Sequence, residues 1–264
     1  MLTVAACGRI GFDGVGAPGD ATSARDGSVD GLPAAIGAAQ QAPLSSIGSV
    51  TTTTITFPDP PSAGNLVVVY AWSWAHDGGT DLQAGNVTDS AGDTYAVAVT
   101  IHTTSCTNGV SGEGAGAIFY ATAPATAMPL TLTLAPSGAA VTFEIGVTAI
   151  EYTGVHTLDV VASATTPSMA SPYMFDTGVT PMTAAPDELL AAVGNNCNGN
   201  PNVVTWNDVA GFTVRAMEAG TNVTQPGIAT DKLVTARGQY SDAWLFGYSA
   251  NGGFPAIGAI ATFR

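Results

Sequence analysis

From residue 35 to Arg264 no stretch holds apolar residues at helical spacing for three turns, while short runs rich in Val, Thr, Ile and aromatics recur between turn signals. The runs are Val50 to Phe57, Asn65 to Trp74, Tyr95 to Thr103, Ala117 to Ala123, Leu130 to Ala135 and Val141 to Tyr152. Leu158 to Ala164, Glu188 to Gly194, Phe212 to Met217, Ile228 to Val234, Ala243 to Tyr248 and Ile257 to Arg264 continue the series. Pro58-Asp59-Pro60-Pro61, Ser90-Ala91-Gly92-Asp93 and Asn251-Gly252-Gly253 punctuate it. A dozen strands with no helix to cover them must pack sheet on sheet. The expected fold class is therefore all-β, a two-sheet antiparallel β-sandwich. With 264 residues, 46% of them hydrophobic and only 10% charged, the chain can bury a full core and has the profile of a secreted β-protein.

Some runs echo one another. Asn65-Leu66-Val67-Val68-Val69 is matched by Glu188-Leu189-Leu190-Ala191-Ala192, and Asp93-Thr94-Tyr95-Ala96-Val97 by Ala210-Gly211-Phe212-Thr213-Val214. In the same order, Ala117-Ile118-Phe119-Tyr120-Ala121 matches Ala229-Thr230-Asp231-Lys232-Leu233, and Ile145-Gly146-Val147-Thr148-Ala149 matches Ile257-Gly258-Ala259-Ile260-Ala261. The pattern reads either as one sandwich made of two related halves whose loops have changed length or as chance similarity among Ala-, Val- and Thr-rich strands.

Charge narrows the partners. From Asp26 through Val214 there are 189 residues without a Lys or Arg, and the same span carries fifteen Asp and Glu. Such a surface cannot neutralise phosphates, so nucleic acid, nucleotides and anionic membranes are poor partners. The carboxylates must be hydrated, hydrogen-bonded to hydroxyl and backbone donors, or bound to a hard cation such as Ca²⁺.

Cys7 ends Val4-Ala5-Ala6-Cys7, a small-residue run that resembles the lipobox at which bacterial lipoprotein precursors are cut and acylated. Only Met1-Leu2-Thr3 precede it, less than a signal peptide requires, which points to an upstream start or a truncated precursor. Together with Gly8-Arg9-Ile10-Gly11-Phe12-Asp13 and the following Asp/Gly/Ala tract, this start is similar to those of predicted bacterial lipoproteins of unassigned function. The resemblance implies lipidation at Cys7 and an envelope or extracellular location, with a lipid anchor as the sole membrane contact. The chain then divides into a lipobox-like segment (1–7), a tether too polar to order itself (8–34) and a β-sandwich domain (35–264). With Cys7 acylated, Cys106 and Cys197 remain as an even pair expected to bridge in an oxidising compartment.

A second resemblance rests on Gly64 to Val69, on Val87-Thr88-Asp89-Ser90-Ala91-Gly92-Asp93-Thr94-Tyr95 and on Ala149-Ile150-Glu151-Tyr152-Thr153-Gly154-Val155, with the closing Ile260-Ala261-Thr262-Phe263-Arg264. These residues resemble a β-sandwich module that recurs in secreted bacterial proteins. It implies a jelly-roll-like topology and no activity.

Period-two alternation sets Tyr70, Trp72 and Trp74 on one strand face. On an outer surface such a stripe stacks sugar rings, whereas the apolar residues on both faces of the strand suit a core position, with Trp74 nearest a rim. The loop after it holds Asp77, Asp81 and Asn86 among glycines, oxygen donors able to wrap Ca²⁺ or to form Asx turns. Asn195, Asn196 and Asn198, followed by Trp206, form an amide-rich segment suited to hydroxyl-rich ligands and equally to turns. Glu144 and Glu151 are the only strand-borne carboxylates close in sequence, and alternation puts them on opposite faces. No Gly-x-Ser-x-Gly, His-Glu-x-x-His, Walker or dinucleotide motif occurs. The expected function is a non-catalytic binding or adhesion module for glycan or another surface polymer. The alternatives are a polysaccharide hydrolase using Glu113, Glu144 or Glu151, and a structural subunit of an envelope assembly.

Overall fold

Alternation and its absence sort the strands into layers before any packing is considered. The computed structural model describes residues 35–76, 79–104, 106, 112–197, 203–221, 226–248 and 254–264. All regular elements among them are strands: β1 (Gly37–Val50), β2 (Thr53–Thr56), β3 (Leu66–His76), β4 (Val87–Asp89), β5 (Ala96–Thr103), β6 (Gly112–Thr122), β7 (Thr131–Leu134) and β8 (Phe143–Thr153). They continue with β9 (Leu158–Met169), β10 (Tyr173–Asp176), β11 (Glu188–Asn196), β12 (Val203–Asp208), β13 (Thr213–Met217), β14 (Gly220–Thr221), β15 (Gly227–Val234), β16 (Ala243–Tyr248) and β17 (Phe254–Phe263). β11 and β17 are buried at every position, the signature of strands covered on both faces. β2, β7 and β16 alternate, as strands do when one face meets water.

Four antiparallel sheets result, with strand orders β1-β8-β3-β6-β5, β2-β7-β4, β13-β15-β11-β17-β9 and β10-β16-β12-β14. Val67, Val69 and Ala71 of β3 pack with Ile55, Leu132 and Leu134 of the three-stranded sheet. The other face of β3, through Leu66, Val68, Tyr70 and Trp72, packs on Leu189, Ala191, Val193, Ala259 and Phe263. Leu190, Ala192 and Ile260 in turn pack on Phe175, Trp206, Trp244 and Phe246. The all-β sandwich is thus present twice, as four layers with the two five-stranded sheets innermost.

The two halves share one topology. Reading β9 for β1, β10 for β2, β11 for β3, β12 for β4, β13 for β5, β15 for β6, β16 for β7 and β17 for β8 converts the first pair of sheet orders into the second, apart from the short β14. Within each half, β1-β8-β3-β6 against β2-β7-β4 is a jelly-roll order. The chain entering β5 first bridges β4 at Thr88↔Thr94, then crosses to pair with β6. Registers agree too: Val67↔Ala121 and Val67↔Glu151 correspond to Leu190↔Lys232 and Leu190↔Thr262. Both crossing strands carry a bulge at the same place, between Val97 and Val99 and between Val214 and Ala216.

All four sequence echoes therefore fall on equivalent strands. Two of them are out of phase by one residue, since the shared registers set Ala117 against Ile228 and Ile145 against Ala256. The strand runs located β2, β3, β5 to β9, β11, β13 and β15 to β17 but missed β1, β4, β10, β12 and β14. β1 escaped because Gln40, Gln41, Pro43 and Ser45 interrupt its alternation; it is an edge strand whose register shifts between Ala42 and Ser45, around the proline.

The halves meet about a pseudo-twofold relation that is visible in single contacts. Tyr152 of β8 donates to Asp231 Oδ2 of β15 at 2.6 Å, while at the equivalent positions Phe263 meets Tyr120 edge-on with ring centroids 5.4 Å apart. One side of the seam is polar, and Arg215 Nε adds a second bond to Asp231 at 2.8 Å. The other side is a ring contact.

Candidate functional site

The first jelly roll holds a small cavity of about 120 Å³ lined by Ser49, Trp74, Thr142, Phe143 and Glu144. Trp74 and Glu144 are direct cross-strand neighbours, one near the end of β3 and the other near the start of β8, so their side chains share the face turned to the second half. Trp74 is fixed from behind by Cys106 and Cys197, with which it forms a small buried cluster. Those cysteines are joined as a disulfide across 91 residues, with Cα atoms 5.1 Å apart. Ser49 closes the rim in a left-handed conformation, φ 58°.

Glu144 is the chemical centre of this cavity. Its Oε2 is buried and has no hydrogen-bond partner among the described residues. Burial and then the charge of Glu218 push its carboxyl up to about 7, so it is divided between acid and carboxylate at neutral pH. Glu218 comes from the second half, where its carbonyl accepts the Trp206 indole N–H at 2.9 Å and its side chain accepts the Ser46 hydroxyl at 2.5 Å. The group can accept a hydrogen bond from a bound hydroxyl or amine, or donate its own proton.

The other candidates are placed elsewhere. Trp72 is fully buried between the halves, against Gly146 and Gly227, and Trp206 is 7% exposed in the second core. Neither offers a ring to a sugar, and Trp74 presents only an edge of the cavity wall at 5% exposure. The apolar partners on both sides of β3 won over the surface reading. Asn195 and Asn196 are also buried: the Asn195 amide donates to the Ser73 and Ala115 carbonyls at 3.2 and 3.1 Å, and the Asn196 amide to Tyr173 and to the Pro255 carbonyl. They tie strands together and are not offered to a ligand. Asn198, Asp77 and Cys7 lie outside the described residues.

In the proposed calcium loop, the Asn86 side-chain oxygen accepts the Gln83 N–H at 2.7 Å, and Asp81 pairs through its backbone with Ser137. The Asn86 oxygen is thus committed to closing the turn from Gln83 to Asn86. Among the described residues no group of three or more His, Cys, Asp and Glu could hold a metal ion. Glu151 is buried at 1% exposure and fully used, taking the Ser62 N–H, the Asn65 amide and the Gln40 amide at 2.8, 2.5 and 2.6 Å. It is a structural carboxylate on the face opposite Glu144. Glu113 lies 3.5 Å from His102 on a more open surface. Sequence reasoning thus found Glu144 and, two residues away on the same face, Thr142, but not the rest of the site. Ser49 comes from β1 and Glu218 follows β13, and nothing local in the sequence brings them to Glu144.

No family model matches the chain, and no curated protein matches it either. Among solved structures, a chain of the Sputnik virophage determined at 3.5 Å by cryo-EM is similar over 86% of each chain, at 8% identity and a TM-score of 0.21, too low to carry an argument.

Proposed function

We propose that this protein is a non-catalytic extracellular binding module, two fused jelly rolls of which the first presents a small polar pocket beside the disulfide that ties them, for a hydroxyl-rich surface polymer such as a glycan. The observation that carries the reading is the buried Oε2 of Glu144, an acceptor that nothing among the described residues satisfies and that a ligand hydroxyl entering the cavity would. The disulfide between Cys106 and Cys197 supports an oxidising compartment. Acylation at Cys7, with residues 8–34 as tether, would hold the module at a bacterial envelope.

A glycan array read with wild type and Glu144→Gln, with and without chelator, tests this. Because the ionised carboxyl is the better acceptor, retained glycan should increase as pH rises from 6 to 8, through the value near 7 of Glu144. Glu144→Gln should bind less and lose that dependence. Equal binding by the variant removes the pocket from the reading, and no binding by either protein removes glycan. A second reading, hydrolysis, draws on the same pair, since a raised Glu144 beside Glu218 could serve as acid and base. Release of reducing sugar from an array ligand would favour it.

A further inference from the structure

The second jelly roll contains a carboxyl pair that neither the pocket nor the seam uses. Asp208 closes β12, and Asp242 precedes β16 at 0% exposure. Asp208 Oδ1 accepts the Gly211 and Phe212 N–H groups at 2.6 and 3.0 Å, while its Oδ2 is buried with no donor among the described residues. Asp242 accepts the Thr230 hydroxyl from β15 and the Ala243 N–H at 2.7 Å, and its side chain reaches Asp208.

The first jelly roll shows what this place requires. Registers equate Asp89 with Asp208 and Tyr95 with Phe212. Asp89 takes the Ala91 and Asp93 N–H groups on Oδ1 at 2.9 and 3.0 Å, and its Oδ2 accepts the Tyr95 hydroxyl at 3.2 Å. In the second half the residue at that position is phenylalanine, which has no hydroxyl to give. The side chain that reaches Asp208 instead is another carboxyl, and two carboxylates can bond only when one of them carries a proton.

We propose that Asp242 carries a proton at neutral pH and donates it to Asp208, and that this proton fastens the outer sheet of the second jelly roll to its inner sheet and is released under alkaline conditions. Thr230 lies on the inner sheet and Asp208 on the outer, so the chain of bonds from Thr230 through Asp242 to Asp208 spans both layers. Burial pushes Asp242 up to about 8, and Asp208 adds to the shift. The other charged and titratable groups on the surrounding elements have partners of their own, except that one oxygen of Glu188 is buried with no donor among the described residues and burial raises its carboxyl. Asp176 of β10 accepts the Gly178 N–H, Glu188 of β11 the Ala185 N–H, Lys232 of β15 donates to the Ala210 carbonyl, Arg237 to the Thr183 carbonyl and Tyr240 to the Ala236 carbonyl. Lys232 also lies over the Phe212 ring, 5.3 Å from its centre.

The direction follows from linkage. In the unfolded chain Asp242 ionises in the ordinary Asp range, whereas in the folded chain it ionises near 8. Between those values unfolding releases a proton, so the contribution is complete below the ordinary value and is lost as pH climbs through about 8. Calorimetric melting of the full chain from pH 6 to 9.5 should show Tm falling by roughly 5–10 °C, the scale of a few kcal/mol in a chain this long. Asp242→Asn, whose amide donates without ionising, should flatten that decline. Phe212→Tyr, which restores the hydroxyl of the first half, should also reduce it. A flat wild-type profile, or a decline equally steep in Asp242→Asn, overturns the proposal. Carboxyl-carbon NMR of the wild type needs no variant: the Asp242 signal should stay at its protonated position at pH 7 and move only above it. A signal already ionised at pH 6 overturns the proposal as well. The pair sits at the far end of β12 from the disulfide, so glycan binding can fail without disturbing this outcome.

Discussion

The first jelly roll contains no Lys or Arg, while the second contains Arg215, Lys232 and Arg237, yet both fold to the same topology, registers and bulge. What they share is backbone geometry. The Ser62 N–H caps a carboxylate in the first half and the equivalent Ala185 N–H caps one in the second, but the carboxylate moves from Glu151 on β8 to Glu188 on β11. Their counterparts exchange as well, Asn65 standing where Glu188 stands and Thr262 where Glu151 stands. Even the left-handed turn residue is conserved in conformation but not in type, Gly64 at φ 90° and Asp187 at φ 57°. The duplicated fold constrains where a buried acceptor must find a donor, and leaves open which side chain supplies it. A chain with few cations can therefore bury carboxylates by using turn amides, side-chain amides, hydroxyls and, in one corner, a proton.

The largest effect should come from cutting the link between the halves. Cys106 leaves β5 of the first and Cys197 follows β11 of the second, so their bond closes a 91-residue loop across the seam. Loop-closure entropy for that length makes the double variant Cys106→Ala, Cys197→Ala less stable by about 4 kcal/mol in urea unfolding. The comparison sharpens if the variant unfolds in two steps, one for each jelly roll. A loss under about 1 kcal/mol would mean that the seam alone holds the halves together as firmly.

The next effect contrasts one position in its two copies. Gly116 of β6 and Gly227 of β15 are equivalent, and both face the seam. A methyl at Gly227 would run into the indole of Trp72, whereas at Gly116 its nearest atoms are Ile101 Cγ2 and Ile257 Cδ1 at 3.6 Å, an ordinary contact. Gly227→Ala should cost about 1–3 kcal/mol through overpacking, and Gly116→Ala should stay within about 0.5 kcal/mol of wild type. Equal costs in thermal melts would break the asymmetry. Trp72 also shows how far the sequence could be read. Continuous apolar runs such as Leu66-Val67-Val68-Val69 announce strands covered on both faces and give the all-β class; they only suggest the paired halves, and as one two-sheet sandwich where the structure has two. They could not set the phase of Ala- and Val-rich echoes, because β6 and β15 bury both faces and a one-residue slip changes no visible pattern. Nor could they separate a buried indole from a sugar platform, since that depends on the second sheet arriving over Trp72. The pocket was hidden for the same reason. Glu144 was visible as a carboxylate on a strand, but Trp74, Ser49 and Glu218 reach it from three other places in the chain.

The smallest effect tests the corner that distinguishes the halves. Tyr95→Phe gives the first jelly roll the residue that the second has at that position, and removes the hydroxyl from Asp89 Oδ2. The position equivalent to Asp242 is Leu130, which has no carboxyl to lend a proton. Asp89 is partly exposed, so water takes the place of the hydroxyl and the loss should be about 1 kcal/mol in urea unfolding. The loss should be the same at pH 6 and pH 9, because nothing in that corner gains a shared proton. An alkaline decline steeper in Tyr95→Phe than in the wild type would mean that an unsatisfied aspartate alone produces it, and the comparison between Tyr95 and Asp242 as alternative donors would no longer hold.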